Sequence, residues 1–115
     1  MKRGEVYWAE LTPRSGSEQT GRRPVVLMSH DAFNGAVGWN CLIVVPLSTS
    51  TSRAHRGPTA VPIPSGTAGL ARNGIALCHQ VTTLDRSKLN KKIGIVPPGI
   101  LAELESGLRA ALDLD

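Results

Sequence analysis

The chain has 115 residues, 41% hydrophobic and 19% charged, a balance that suits one globular domain with a modest core and excludes a disordered chain. Its net charge of +4 is unevenly spread: residues 1–92 carry twelve Lys or Arg against five Asp or Glu, and residues 93–115 carry Arg109 against Glu103, Glu105, Asp113 and Asp115. A basic body points to a polyanionic partner, most often nucleic acid, while no apolar run approaches the ~18 residues of a membrane span. The opening Met1-Lys2-Arg3-Gly4-Glu5 places an acid where an export signal is apolar, so a cytoplasmic location is expected.

Glu5–Leu11 reads as a first strand, with Val6, Trp8 and Glu10 on one face and Tyr7, Ala9 and Leu11 on the other. Trp8 is expected in the core. Thr12-Pro13-Arg14-Ser15-Gly16 breaks the strand, and Pro24–Met28 forms the second. Ser29–Gly35 is a turn with one helical turn. Trp39–Leu47 contains the apolar run Leu42-Ile43-Val44-Val45, as in a strand covered on both faces. A hydroxyl-rich loop, 48–58, follows it. Thr59–Ile63 is a short strand, placed at an edge by the prolines at 62 and 64.

Asn73-Gly74 has the composition of a tight turn. Ile75–Cys78 and Gln80–Leu84 are one long strand or two that meet at a bend. Asp85–Leu89 suits a helical turn, and Lys92–Val96 is the last strand. Pro97-Pro98 opens a helix to about Leu112, with Leu101, Leu104, Leu108, Ala111 and Leu112 spaced along one face. Gly107 weakens that helix by ~1 kcal/mol relative to Ala. Cys41 and Cys78 lie in apolar runs and are expected as buried thiols. Short strands with one terminal helix imply a mostly β fold, a small antiparallel barrel or sheet closed by the helix.

No phosphate-binding Gly-Lys-Ser loop, Cys-x-x-Cys pair or His-Glu-x-x-His helix is present, and His30, His55 and His79 are too scattered for a metal site. One Phe and one Tyr leave no broad aromatic platform, although Trp39 is a candidate to stack on a base. What remains is the stretch Gly16-Ser17-Glu18-Gln19-Thr20-Gly21-Arg22-Arg23-Pro24. An Arg-Arg pair beside a strand is commonly a solvated edge. Here, however, Arg23 enters its strand as Ser48 leaves the next. In an antiparallel pair those positions lie at one end of the sheet, so Glu18, Arg23 and Ser48 or Thr49 can converge on one phosphate. A guanidinium fork matches phosphate oxygens, and a hydroxyl donates to them.

Arg3-Gly4-Glu5-Val6-Tyr7-Trp8-Ala9-Glu10-Leu11 and the Gly-Ser-Glu-Gln loop with its Arg-Pro closely resemble the opening of the MazF/PemK family of toxin endoribonucleases. Val44-Val45-Pro46-Leu47-Ser48, Gln80-Val81-Thr82-Thr83-Leu84 and the Leu-rich terminal helix extend the resemblance over nearly the whole chain. It implies an SH3-like barrel of the CcdB/PemK type, a homodimer, and neutralisation by a cognate antitoxin. The implied activity is sequence-specific, metal-independent cleavage of single-stranded RNA, often messenger RNA, leaving 2′,3′-cyclic phosphate and 5′-hydroxyl ends. The family's essential arginine falls on Arg23 and its loop carboxylate on Glu18. Its catalytic threonine falls on Ser48, which keeps the hydroxyl and loses the methyl that restrains the rotamer, with Thr49 as a substitute. His79 stands where relatives often carry an acid.

These residues set the expected roles. Arg23 stabilises the phosphorane and can donate a proton, because a free guanidine base is scarce below a pKa of ~12. Ser48 assists, Glu18 is the first candidate base and His79 the second. RNA contacts are expected from Gln19, Thr20, Arg22, Thr49, Arg53, Arg56, His79 and Gln80, and base selection from the loops 12–22, 29–38 and 48–58. Two rivals remain. A gyrase-inhibiting toxin resembling CcdB acts through a C-terminal tryptophan, which Ala110–Asp115 lacks. A non-catalytic RNA-binding module would bind RNA in a salt-sensitive way without cutting it.

Overall fold

The computed structural model describes residues 1–49 and 57–115. Among them, β1 (Glu5–Glu10), β2 (Arg22–Leu27), β3 (Cys41–Ser48), β4 (Ala60–Ile63), β5 (Gly74–Leu77), β6 (Thr82–Asp85) and β7 (Leu89–Ile95) form one antiparallel sheet. A short helix α1 (Asp31–Asn34) follows β2, and α2 (Pro98–Leu112) ends the fold. The sheet runs β4-β5-β3-β2-β1-β7, and β6 also pairs with β3. This is the mostly β, helix-closed architecture expected from the sequence.

The strands β1, β2 and β3 alternate apolar residues to both faces, and each face has its own core. Val6, Val26, Met28, Val45 and Leu47 pack with β4, β5 and Leu104 of α2. Tyr7, Ala9, Leu11, Val25, Leu27, Leu42 and Val44 pack with Leu84 and Leu89. The two-faced reading of the first strand therefore holds at Val6, Tyr7, Ala9 and Leu11. Trp8 is the exception. It is half-buried, and the Arg22 guanidinium lies 4.4 Å from its ring centroid. The strand pairing Glu10↔Arg22 and Trp8↔Pro24 brings that cation beside the ring, so Trp8 is a platform at the sheet end rather than a core residue.

β5 and β6 behave as one broken strand alongside β3. Leu47↔Ala76 and Ser48↔Ile75 pair at one end, and Cys41↔Asp85 through Val44↔Thr82 at the other. A 3-10 turn at Cys78–Gln80 interrupts the ladder between them. Neither Val45 nor Pro46 of β3 pairs with that segment; both pair with β2. The break at Gln80 thus opens the sheet beside Pro46, and the candidate site forms there.

Several expectations are corrected. Cys41 is exposed, because it opens β3 on the outward face; Cys78 is buried as expected. Ile43 shares that outward face and is 44% exposed. Asn73-Gly74 is no two-residue turn. Ile63 pairs with Gly74, so ten residues connect β4 to β5, and Asn73 Oδ1 accepts from the Ser65 amide 2.8 Å away. The helical face ends before Leu112, which is exposed. Gly107 has a positive role: a Cβ there would sit 2.7 Å from Cys78 Sγ and 3.3 Å from Val61 Cγ2. The missing side chain is what lets α2 lie on β4 and the 3-10 turn.

Ion pairs tie the N-terminal strand to the rest. Glu5 is 7% exposed; Oε1 accepts from the Lys2 amide (2.6 Å) and Tyr7 hydroxyl (2.7 Å), and Oε2 pairs with Lys92 Nζ (2.6 Å). Burial alone would raise the Glu5 carboxyl, but Lys92, Tyr7 and the Lys2 amide outweigh it and bring it down to about 2. Arg3 donates to Glu105 of α2 at 2.8 Å. Among the described residues, no helix is long and apolar enough to cross a membrane.

Candidate active site

The loop from Leu11 to Gly21 returns on itself between β1 and β2. Gly16 and Gly21 have φ of 62° and 77°, a region that favours glycine, and supply its two bends. The Leu11 amide donates to Gly21 O at 2.9 Å and the Gly21 amide to Thr12 Oγ1 at 3.1 Å, which closes the neck. The tip is bolted to the 3-10 turn. Gln80 Oε1 accepts from the Gln19 amide at 2.7 Å, and Gln80 Nε2 donates to Ser17 O at 3.2 Å. Gln80, expected as an RNA contact, therefore also works as a clamp that seats the loop.

Two pockets meet over this clamp. One, of ≈ 210 Å³, is walled by Leu11, Arg14, Gln19, Pro46 and Thr82; the other, of ≈ 470 Å³, by Ser17, Thr59, Ala60 and Leu77. Glu18, His79 and Gln80 line both, so the two form one groove. Gln19 is 8% exposed, and its Oε1 has no hydrogen-bond donor among the described residues. An acceptor stripped of water without a donor costs ~1–3 kcal/mol, which a ligand with an N–H would recover.

Glu18 is exposed. Its Oε1 accepts from the Ser15 amide (3.1 Å) and hydroxyl (3.3 Å), and its Oε2 lies 3.5 Å from Arg14 Nη1. The Ser15 amide, then the Ser15 hydroxyl and Arg14, hold the carboxyl below the usual carboxylate range. Arg14 also donates to Leu11 O at 2.9 Å and to Thr82 Oγ1 at 3.3 Å. Sequence reasoning missed Arg14; its four-residue spacing from Glu18 was the available signal.

Arg23 is half-buried, and its Nε donates to Thr20 O at 3.1 Å. Thr20 thus anchors Arg23 through its carbonyl. The guanidinium's two terminal nitrogens make no hydrogen bond among the described residues. The β2–β3 register Val25↔Pro46, continued by two residues, sets Arg23 opposite Ser48. Alternation then puts Arg23 on the face of Val25 and Leu27, and Ser48 on the face of Val44 and Pro46, which is one and the same face. Ser48 is 3% exposed and pairs with Ile75. Thr49 is exposed and points with Leu47 to the opposite face, where both line a pocket with Arg22 and Arg72. Trp39 packs on Phe33 with ring centroids 4.9 Å apart, and it lines neither groove pocket. Arg53 and Arg56 lie outside the described residues.

The comparisons with known proteins agree with this fold. A family model described as PemK-like, MazF-like toxin of type II toxin–antitoxin system matches residues 2–112. The chain belongs to that family. It is 32% identical over 114 residues to Endoribonuclease MazF6 of Mycobacterium tuberculosis, covering 99% of this chain and 98% of that protein. It is equally similar, at 32% over 114 residues, to Endoribonuclease MazF of Staphylococcus saprophyticus, covering 99% and 92%. Among solved structures, MazF from Deinococcus radiodurans superposes with a TM-score of 0.81 at 29% identity, over 99% of this chain and 97% of that one. A MazE–MazF structure from the same organism gives 0.76 at 29% identity, covering 100% and 97%. Arg23 and Ser48 occupy one end of the β2–β3 pair, and the Glu18 loop borders the groove.

Proposed function

We propose that this family member is an endoribonuclease toxin that cuts single-stranded RNA at selected sites, without a metal, by attack of the 2′-hydroxyl. The observation that carries the reading is the shared face of Arg23 and Ser48 at one end of β2 and β3, a face on which Pro46 borders the groove lined by Glu18, His79 and Gln80. The 2′-oxygen–phosphorus bond forms and the phosphorus–5′-oxygen bond breaks. The products are a 2′,3′-cyclic phosphate and a 5′-hydroxyl, and no water is consumed. The Arg23 guanidinium sits over the oxygens that gain charge in the phosphorane, and the Ser48 hydroxyl donates to one of them. Glu18, ionised across the neutral range, receives the 2′-proton. Arg23 protonates the departing 5′-oxygen, and the proton held by Glu18 restores the guanidinium.

The working unit in this reading is a homodimer, and an acidic segment of the antitoxin competes with RNA for the basic end of the sheet. Antitoxin that left RNA binding unchanged would end the competition model. The deciding experiment incubates purified protein with a long single-stranded RNA in EDTA, alongside Arg23→Ala. Discrete cuts with cyclic-phosphate ends, absent in the variant, are expected. Intact RNA from folded wild-type protein would overturn the reading and favour gyrase inhibition or RNA binding without cleavage.

A further inference from the structure

Residues 22 and 23 point to opposite faces of the sheet, as do 48 and 49. Arg23 and Ser48 define the face already described. Arg22 and Thr49 belong to the other, and there they border a pocket of ≈ 390 Å³ with Arg72 and Trp8; Arg23, at the strand end between the two faces, lines it as well. Its apolar floor comes from Leu47, Leu70 and Ile93, and no carboxylate lines it. Glu10 lies opposite Arg22 in the strand register, but its Oε1 is turned to the Thr12 amide, 2.9 Å away. Trp8 and Arg72 have no part in the cleavage chemistry.

We propose that this pocket binds the nucleotide adjacent to the one cleaved, with its base against the Trp8–Arg22 stack and its phosphate against Arg72. The inference rests on the RNA-cleaving reading and extends it to a second subsite. Three features favour a nucleotide. Arg22 lies over Trp8, 4.4 Å from the ring centroid, and a guanidinium plane stacks on bases as an aromatic ring does. The rim carries three arginines, which suits a phosphate. Arg22 is covalently next to Arg23, so an RNA strand held at Arg23 and Ser48 needs only to pass over the end of β2 to enter. An acidic peptide with an apolar anchor would also meet positive charge here, but it would not need the continuity with the cleavage face.

The test uses Trp39→Phe, which leaves Trp8 as the sole tryptophan and alters a ring packed on Phe33 outside the groove. A cut site is first mapped on a long RNA. An oligonucleotide spanning it, with 2′-deoxyribose at the cleaved position, is then titrated while Trp8 emission is followed. Saturable quenching is expected. Arg72→Ala, an exposed position, should weaken binding about tenfold and lower the salt slope by about one phosphate contact. In cleavage assays it should raise KM with kcat retained. Trp8→Phe should keep most of the affinity and Trp8→Leu lose it, with far-UV circular dichroism checking the fold. Normal cleavage with unchanged Trp8 emission at saturation, and wild-type affinity in Arg72→Ala, would overturn the proposal. Quenching by an acidic apolar peptide but not by RNA would overturn it too, in favour of a protein partner. If the wild type cuts no RNA, the functional reading fails and this inference falls with it.

Discussion

The two ends of the β1–β2 ladder both hold arginine and lysine, but the fold treats them differently. At the start of β1, Arg3 is spent on Glu105 and Lys92 on Glu5, while Arg86 caps the carbonyls of Asn34 and Trp39 at 2.8 and 2.6 Å. Those cations hold the chain together. At the far end, Arg22 rests on Trp8, Arg23 is tied by one nitrogen to Thr20, and Arg72 has no ion pair among the described residues. Charge that folding does not consume is free to meet a ligand. Net charge alone pointed to nucleic acid without saying where; the location follows from which cations already have partners.

Substitutions at the two ends should separate stability from activity. Arg23→Ala should cut single-turnover cleavage by about 10²–10³-fold, the usual loss for one donor to a developing oxyanion, with the melting temperature unmoved. Arg23→Lys should restore little, since a point charge lacks the planar fork. Glu5→Gln should do the reverse. It should cost ~1–3 kcal/mol in denaturant titration, as expected when a buried charged acceptor is lost, and leave cleavage per folded molecule unchanged.

Acid sharpens the contrast. The folded Glu5 carboxyl, near 2, lies below its ordinary unfolded value of ~4.3. Its stabilisation is therefore complete above ~4.3 and is lost as pH falls towards 2, so denaturant midpoints of the wild type should fall across that window and those of Glu5→Gln should fall less. The depressed Glu18 carboxyl acts on catalysis instead. The acid limb of kcat/KM should lie below the usual carboxylate range, giving a flat profile from about pH 5 to 8. Glu18→Gln should lower the rate; an unchanged rate would remove Glu18 from the mechanism. Loss of activity in His79→Gln, with activity retained in Glu18→Gln, would move the proton to His79. The smallest effect is expected from Arg22→Ala, which should cost only ~0.5–1 kcal/mol of stability, the worth of an exposed cation–π contact.

Most strands and the terminal helix were legible because hydrophobic alternation is a local property. Val6 against Tyr7, Pro62 at an edge and Leu104 on the inner helical face all follow from spacing. What escaped depends on which distant residues meet. Trp8 reads as core until Arg22 is placed across from it. Gly107 reads as a weak helical residue until Cys78 lies beneath it. Gln80 reads as an RNA contact, yet both ends of its amide hold a loop more than 60 residues away in sequence. Arg23 and Ser48 were legible at one end of the sheet because strand direction alone brings them there; Thr49 lies just past β3, in a pocket with Arg22 and Arg72 that alternation could not foretell.

The pairing of β1 with β7 also sets an order of events. Glu5 finds Ile95 only after some ninety residues have been made, and Arg3 then reaches Glu105 on the last helix. Contacts so far apart in sequence form late. The β2–β3 ladder that sets Arg23 opposite Ser48 joins strands close in sequence, so it forms first, and the closure by β7 completes the sheet around it afterwards.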